Sequence, residues 1–183
     1  MIDPVFAKLV SFLLGLLLVA AAWHKWAAFD RFVAILRDYR LLPARLARPA
    51  AGTVVTAETA LALGWLTGAL ASQTAILTAG MFSVYGAAIA VNLARGRVHI
   101  SCGCGLGDGP EGGQLLSWTL VLRNAVLAGL ALLPLLPLAP RPLHPIDWAT
   151  LATSLLAAVL LHFGAAQLLR NGAAIQTWKS GHD

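Results

Sequence analysis

The chain has 183 residues, of which 58% are hydrophobic and 11% charged, and its mean hydropathy is +0.76. Soluble domains carry roughly 25% charged residues, so this composition excludes a soluble globular protein and predicts an integral membrane protein. The formal net charge of +5 does not indicate nucleic-acid binding, because lysine and arginine form no basic face along a helix or strand. The basic residues are better explained as membrane-orientation signals.

Five apolar stretches are long enough to cross the hydrocarbon core, which takes about 20 residues in a helix. They cover residues 5–23, 52–70, 75–93, 118–138 and 148–169. The letters "ASQT" between the second and third stretches predict a tight turn, and Pro134 and Pro137 predict that the fourth helix ends or kinks. The sequence therefore predicts an all-α, polytopic membrane bundle that forms a single domain.

An amphipathic segment lies between the first two predicted spans. Its apolar residues recur at helical spacing, whereas Arg31, Arg37 and Asp38 fall elsewhere around the helix. We predict a helix over residues 28–40 that lies in the bilayer interface and ends before Pro43.

Five crossings put the loops after the first and third spans on one side of the membrane, together with the C-terminal tail. We call this the cysteine side, because the loop over residues 95–116 holds both cysteines of the chain. Ten of the basic residues lie on the cysteine side, and Lys8 and Arg141 lie opposite. The positive-inside rule therefore predicts a cytoplasmic cysteine side. The ten are Lys25, Arg31, Arg37, Arg40, Arg45, Arg48, Arg95, Arg97, Arg170 and Lys179.

Strongly polar side chains inside the predicted spans are costly in a bilayer, so each needs a partner or a function. At 1.5 Å per residue, nearly all of them fall in the half of the bilayer nearest the cysteine side, with Glu58 and Arg123 both about 8 to 10 Å deep. We predict one polar cavity beneath the cysteine loop. The alternative is a structural role, with Glu58 paired to Arg123 to hold two helices together. The polar residues are Glu58, Asn92, Arg123, Asn124 and His162, with His24 at the end of the first span.

The two cysteines, Cys102 and Cys104, are separated by one glycine in the sequence "SCGCG". Two cysteines are too few for a disulfide scaffold, so their value lies in reactivity. A disulfide across a single residue departs from relaxed geometry and is readily reduced. Arg97 and His99 lie close by in sequence and would favour the thiolate, which is the attacking species. The pattern predicts thiol–disulfide exchange.

The cysteine pair is also compatible with metal transport or with the absence of any chemical role. The letters "HISCGC" supply one imidazole and two thiols, whereas a closed zinc site takes four ligands, so we predict no structural metal. A transport site for a soft metal such as copper is compatible with these ligands. In the absence of a chemical role, both cysteines are simply small residues of the loop.

Several of these motifs together resemble the methylamine utilisation protein E family, MauE, which is related to the DoxX-like membrane proteins. The cysteine motif "NLARGRVHISCGCGLG" is followed after a short gap by "LSWTLVLRNAVLAGLALL". The segments "AWHKWAAFDRFVAILRDYRLLP" and "AETALALGWLTGAL" are similar to the same family. The resemblance therefore covers nearly the whole chain.

The resemblance implies a maturation factor in the bacterial cytoplasmic membrane. Such a factor would act with a thioredoxin-like periplasmic partner, MauD, in forming the disulfide-rich small subunit of methylamine dehydrogenase, which carries tryptophan tryptophylquinone. A periplasmic partner requires a periplasmic cysteine side, in conflict with the charge count. We favour the periplasmic side, because many of the arginines lie on the amphipathic helix and near the cysteine loop, where they would serve protein contacts.

A broader analogy connects the chain to quinone-linked membrane proteins that form disulfides. The predicted cavity would accordingly hold a quinone or stabilise a thiolate, with Arg123 as the stabilising cation. Those proteins use a CxxC and a second cysteine pair, so two cysteines exclude a self-contained relay and require direct access by the partner. The predicted site residues are Cys102 and Cys104, with Arg123, Glu58, Asn92, Asn124, His162, His99 and His24 around them.

Two further functions remain open for the whole chain. A non-catalytic anchor or assembly scaffold would bind the partner without using the thiols. A transporter for a metal or small molecule would need a polar path through the whole bilayer, whereas the half far from the cysteines, with "LLGLLLV" and "GLALLPLL", is apolar.

Overall fold

The computed structural model describes residues 3–98, 100, 115–137 and 139–161. These residues contain helices and no strand, apart from an isolated bridge at Leu115, and the predicted all-α architecture is confirmed. Three helical segments are long and apolar enough to cross a membrane: Pro4–Ala27, Ala71–Ala94 and Trp118–Leu135. The helices are α1 (Pro4–Ala27), α2 (Phe29–Tyr39), α3 (Ala47–Thr67), α4 (Ala71–Ala94), α5 (Trp118–Leu132) and α6 (Pro145–Leu161).

The two other predicted spans correspond to α3 and α6. Helix α3 has 21 residues, about 31 Å of helix, but it carries Arg48 and Glu58 among its apolar residues. Helix α6 is apolar and is described as far as Leu161. Five crossings therefore stay a prediction, of which three rest on helices of sufficient length and hydropathy.

Helix α1 is longer than predicted at both ends. The side chain of Asp3 caps it by accepting a hydrogen bond from the backbone N–H of Val5 at 2.8 Å, and Pro4 occupies the first helical position. At the other end the helix continues past Trp23 to Ala27. The buried face recurs every three or four residues and includes Lys25: Ala7, Val10, Leu14, Leu18, Ala21, Ala22 and Lys25.

Helices α1 and α3 run antiparallel and in close contact. Gly15 lies against Trp65 and Leu66, and a Cβ added to Gly15 would come 2.9 Å from the Cδ2 atom of Leu66. Ten residues further along α1, Lys25 meets Glu58, which lies earlier on α3. Because Gly15 has no side chain, the two helices approach closely at one end, and an ion pair joins them at the other.

The turn between α3 and α4 lies earlier in the chain than predicted. The letters "ASQT" form the first turn of α4, and the chain reverses at residues 68–70. Gly68 ends α3 in the left-handed region with φ 72°, and its N–H donates to the carbonyl of Gly64 at 3.0 Å. Glycine adopts this conformation without a steric cost, so the helix ends at Gly68. The predicted turn at "ASQT", which contains no glycine, was therefore placed wrongly.

Helix α5 ends as the prolines predicted. The α-helix stops at Leu132 and a 3-10 turn, Leu133–Leu135, follows around Pro134, so the predicted helix end is confirmed and the regular helix is shorter than residues 118–138. Helix α5 packs along α4, with the Cβ of Asn124 against Gly86. Because these helices are antiparallel, the end of α4 and the start of α5 lie together beside the cysteine loop.

The predicted amphipathic helix is confirmed as α2, but its apolar face packs on protein. A single non-helical residue, Ala28, separates it from α1, and it ends at Tyr39, before Pro43. Phe32 and Val33 pack against α3 in a cluster with Ala47, Ala51 and Val55. The face that motivated an interfacial position is therefore buried against α3, and any bilayer contact of this region uses other side chains.

The described residues from Arg141 to Leu161 belong to a second compact unit. Helix α6 begins at Pro145, three residues before the predicted span. The Asp147 carboxylate accepts a hydrogen bond from the backbone N–H of His144 at 2.8 Å and binds Arg141 at 2.8 and 3.1 Å. These hydrogen bonds cap the start of α6, and the bonds from Arg141 and His144 hold the pKa of Asp147 below its usual value.

Candidate functional site

The predicted site residues divide into those that the structure describes and those outside the described residues. Cys102, Cys104, His99 and His162 lie outside them. Two residues that flank the cysteines in the loop, Ile100 and Leu116, are described, although they were not predicted as site residues. The described site residues are Glu58, Asn92, Arg123, Asn124 and His24.

Glu58 is the centre of a closed polar cluster. Its side chain is 1% exposed, and Lys25 Nζ, 5% exposed, donates to Oε1 at 2.6 Å and to Oε2 at 2.8 Å. The hydroxyl of Tyr85 donates to Oε1 at 2.8 Å. The ammonium of Lys25 also lies 5.4 Å from the ring centre of Phe32 and 5.7 Å from that of Tyr85. Four helices, α1 to α4, thus contribute to one cluster in which the carboxylate is satisfied.

The bonds of Glu58 correct the predicted geometry in two respects. Glu58 is paired with Lys25 and not with Arg123, so the alternative of a Glu58–Arg123 helix clamp is wrong. In addition, Lys25 was predicted to be a loop residue that serves as an orientation signal, whereas it is a buried helical residue. The detectable signal was its position three or four residues after Ala21 and Ala22, on the apolar stripe of α1.

A second, open set of polar atoms lies at the cysteine-side ends of α4 and α5. Within the described part of the chain, three buried side-chain atoms have no hydrogen-bond partner: Oδ1 of Asn92, Nη1 of Arg97 and Nε of Arg123. Asn92 is fully buried, and its Nδ2 donates a hydrogen bond to the carbonyl of Ala88 at 3.0 Å. Buried polar atoms are ordinarily paired, so one acceptor and two donors leave hydrogen-bonding capacity unused in this part of the bundle.

Neither Asn124 nor His24 adds an unpaired buried atom to this set. Nδ2 of Asn124 donates to the carbonyl of Leu120 at 2.8 Å, and its Cβ packs on Gly86, so this buried side chain serves the α4–α5 contact. His24 is half-buried in the last turn of α1, next to Lys25. The described polar residues therefore separate into the closed cluster around Glu58 and the open set of Asn92, Arg97 and Arg123.

The two ends of the cysteine loop are joined to each other and to α2. The backbone N–H of Leu116 donates to the carbonyl of Ile100 at 3.2 Å. Leu116 is buried with Tyr39 of α2, Ile89 of α4 and Leu120 of α5, and Ile100 packs against this cluster. Ile100 and Leu116, which flank residues 101–114 in the chain, thus lie together on the bundle.

Tyr39 is the buried side chain of α2 in this cluster, and Ile35 packs beside it. Burial raises the pKa of Tyr39 to about 12, so its hydroxyl stays neutral at any physiological pH. A neutral, buried phenol at the base of the cysteine loop supplies packing and hydrogen bonding without adding a charge. Among the described residues, Arg95, Arg97 and Arg123 supply positive charge near the loop ends.

Comparison with known proteins decides the family. The family model described as "Methylamine utilisation protein MauE" matches residues 3–137. The chain belongs to the MauE family. This membership, with three helices long and apolar enough to span a bilayer, makes the chain a membrane protein.

Three relatives named "Methylamine utilization protein MauE" are similar over nearly their full length. The protein of Paracoccus denitrificans is 37% identical over 97% of this chain and 94% of its own length. The protein of Paracoccus versutus is 39% identical, covering 91% and 88%, and that of Methylorubrum extorquens is 39% identical, covering 93% and 92%. No solved structure matches the chain.

Proposed function

We propose that this MauE-family chain serves methylamine utilisation as a membrane maturation factor for the small subunit of methylamine dehydrogenase. In this proposal Cys102 and Cys104 exchange thiol and disulfide with a thioredoxin-like periplasmic partner of the MauD type. The family match and the names of the relatives support the pathway. The role of the cysteines rests on the sequence motif and on the surroundings of the loop ends.

The observation that carries the proposal is the closure of the cysteine loop at Ile100 and Leu116. Their backbone hydrogen bond and the cluster around Tyr39 hold both ends of a glycine-rich segment on a rigid helical base. Exchange requires the attacking sulfur to lie in line with the disulfide bond of the other protein, so the thiol must be held at a defined place. A loop with fixed ends and a glycine-rich middle meets this need while leaving the thiols free to exchange.

The exchange balances without a metal or another cofactor. A thiolate of one protein attacks a disulfide sulfur of the other, a mixed disulfide forms between them, and the second sulfur of the attacked disulfide leaves as a thiolate. The second thiolate of the attacking protein then attacks its own protein's sulfur in the mixed disulfide, and the partner's sulfur leaves as a thiolate. One protein is oxidised by two electrons and the other is reduced by two, and the same intermediate serves both directions. Recycling of the pair would require a second thiol–disulfide couple or a quinone.

Arg123 and Arg97 support this chemistry through their unpaired donors. Each has one buried nitrogen without a hydrogen-bond partner among the described residues; Arg97 follows the end of α4 by three residues, and Arg123 is the sixth residue of α5. A guanidinium close to a thiol favours the thiolate and so lowers the thiol pKa. Asn92, whose Oδ1 is also open, would accept a hydrogen bond from the same bound group.

The proposal places the chain in the cytoplasmic membrane with a periplasmic cysteine side. One structural fact weakens the opposing charge count: Lys25, one of the ten basic residues assigned to that side, is buried against Glu58 inside the bundle. Arg48 pairs with Asp30, although both are largely exposed. Labelling of the cysteines in intact cells by a membrane-impermeant thiol reagent after mild reduction is expected, and labelling only after lysis would contradict the periplasmic orientation.

The test of the function replaces both thiols. A Cys102→Ser/Cys104→Ser variant is expected to abolish formation of the mature small subunit, while the thioredoxin-like partner still co-purifies with the chain. Ser101→Ala, a change of one oxygen in the same segment, is the matched control and should leave maturation intact. A normal yield of mature subunit without either thiol would contradict exchange.

The second candidate function is a non-catalytic anchor for the same partner. The exposed charged face of α2 favours it, because Asp30, Arg31, Arg37 and Asp38 are turned away from the apolar face that packs on α3. An anchor needs this surface and not the thiols. It therefore predicts that the double serine variant supports maturation, whereas neutralising the face of α2 prevents it.

A further inference from the structure

The turn that joins α2 to α3 exposes both leucine and arginine side chains. It reads "RLLPARL" from Arg40 to Leu46, and every residue in it is exposed. Leu41, Leu42 and Leu46 are 40%, 45% and 44% exposed. Leucine side chains that remain exposed beside two well-packed helices indicate a surface that lipid or another protein covers.

The backbone of the turn is well defined. Arg40 adopts the left-handed region with φ 48°, which ends α2 and reverses the chain. Pro43 then precedes a 3-10 turn, in which the N–H of Leu46 donates to the carbonyl of Pro43 at 2.8 Å. At the base of the turn Arg48 binds Asp30 at 2.8 Å and stacks 5.6 Å from the ring centre of Phe29. The leucines are therefore held outward by the fold of the turn.

Positive charge surrounds these leucines. From Phe29 to Arg48 the chain carries five arginines and two aspartates, and one of those aspartates, Asp30, is engaged by Arg48. Arg40 and Arg45 alternate with the exposed leucines, and Arg37 lies one turn earlier on α2. We define the arginine–leucine turn as Arg37, Arg40, Leu41, Leu42, Arg45 and Leu46.

We propose that the arginine–leucine turn binds anionic phospholipid at the bilayer surface. Its leucines enter the boundary between headgroups and acyl chains, and its arginines bind the lipid phosphates, for which the planar guanidinium is well suited. The turn is continuous with the apolar helix α3, and the last turns of α1 expose Trp23 and Trp26, residues typical of the membrane interface. The apolar face of α2 is already occupied by α3, so this turn is the part of the region that remains to contact lipid.

This surface goes beyond thiol–disulfide exchange and does not depend on it. It gives several of the arginines on the cysteine side a function other than orientation. Each arginine near an anionic surface is worth about a fivefold factor in affinity, so loss of two should weaken binding about 25-fold at low ionic strength.

The experiment compares two double variants of the full-length chain, purified in a neutral detergent. Arg40→Gln/Arg45→Gln removes two charges from the turn, and Lys8→Gln/Arg31→Gln removes two exposed charges outside it. Native mass spectrometry measures the apparent affinity for phosphatidylglycerol and for phosphatidylcholine. The expected result is an approximately 25-fold loss of phosphatidylglycerol affinity for the first variant only. Inorganic phosphate at millimolar concentration should not compete, since a free anion offers nothing to the leucines.

A Leu41→Ser/Leu42→Ser variant provides an independent arm. It keeps every charge and should also lose phosphatidylglycerol affinity, which purely electrostatic attraction does not predict. Equal phosphatidylglycerol affinity of the two charge variants would overturn the proposal. Unchanged lipid affinity combined with loss of the thioredoxin-like partner would overturn it in favour of a protein-docking surface.

Discussion

Nζ of Lys25 lies 2.6 Å from Oε1 of Glu58, and both side chains are almost completely buried. The pair joins the end of α1 to the middle of α3, and Tyr85 adds α4 through its hydroxyl. Two opposite charges that are removed from water together are tolerated only when their hydrogen bonds are satisfied, as both oxygens of Glu58 are here. The cluster therefore fixes the relative position of three helices.

Removing one charge of this pair should destabilise the protein strongly. Lys25→Met leaves an unpaired buried carboxylate, and Glu58→Gln leaves an unpaired buried ammonium, so each single change should cost about 3–5 kcal/mol. The double variant Lys25→Met/Glu58→Gln has no buried charge, and its amide can still accept the hydrogen bond from Tyr85. It should recover most of the lost stability, measured as the unfolding free energy in a detergent-denaturant titration.

The exposed pair of Arg48 and Asp30 is the matched control for this cycle. Its side chains are 65% and 83% exposed, so Arg48→Gln or Asp30→Asn should change stability by about 1 kcal/mol or less. Equal effects at the two pairs would show that burial of Lys25 and Glu58 contributes nothing.

Gly64→Ala should disturb the α3–α4 contact. A Cβ at this position would come 2.6 Å from Oγ1 of Thr74, which is too close for any carbon–oxygen contact. Overpacking of this kind typically costs about 1–3 kcal/mol. The second change Thr74→Ala removes the clashing atoms and should restore stability, and Gly80→Ala, with nothing within 4 Å, should be harmless. Thermal unfolding of these three variants and the parent checks the pattern, and a Gly64→Ala protein as stable as the parent would contradict it.

Arg123→Gln should raise the pKa of the reactive thiol if Arg123 stabilises the thiolate. The rate of alkylation by iodoacetamide, followed against pH, reports this pKa, and the curve should move to higher pH in the variant. Arg123→Lys keeps the charge and should move it less. Arg95→Gln, a change at an exposed arginine near the loop, is the control. Superimposable profiles for Arg123→Gln and the parent would exclude a role for Arg123 at the thiols.

Acid should loosen the start of α6 through Asp147. Because the hydrogen bonds from Arg141 and His144 lower the folded pKa of Asp147, its stabilising effect is complete above the unfolded value near 3.8 and is lost as the pH falls below it. Amide hydrogen exchange at the start of α6 should therefore accelerate, relative to the intrinsic rate, as the pH falls below about 3.8. Asp147→Asn should show fast exchange already at neutral pH, and a pH-independent protection factor in the parent would contradict the role of this carboxylate.

The lengths of the apolar stretches, the positions of the prolines and the helical spacing of apolar residues made much of the fold predictable from the sequence. The stretches around α1, α4 and α5 are apolar for the required length, the prolines after Leu132 end α5, and the helical spacing of Phe32, Val33 and Leu36 indicates α2. These features depend on residues close together in the chain. The turn at Gly68 was missed because "ASQT" is polar, whereas the left-handed cap at glycine decides where the helix ends.

The partners of buried polar residues were harder to predict from the sequence, because they depend on how the helices are offset and rotated against each other. Depth counting placed Glu58 and Arg123 at one level, but Gly15 and Gly64 set close helix contacts that bring Lys25 and Tyr85 to Glu58. Similarly, the amphipathic pattern of α2 shows an apolar face without showing whether lipid or α3 covers it. Both depend on long-range packing.

The most direct test of thiol exchange is the capture of its covalent intermediate. Single variants, Cys102→Ser and Cys104→Ser, are expressed with the thioredoxin-like partner, acid-quenched and analysed by non-reducing electrophoresis and mass spectrometry. We predict that at least one variant accumulates a mixed disulfide with the partner, since the resolving thiol is absent. No mixed disulfide in either variant, with partner binding retained and maturation normal, would contradict exchange and leave the chain as an anchor.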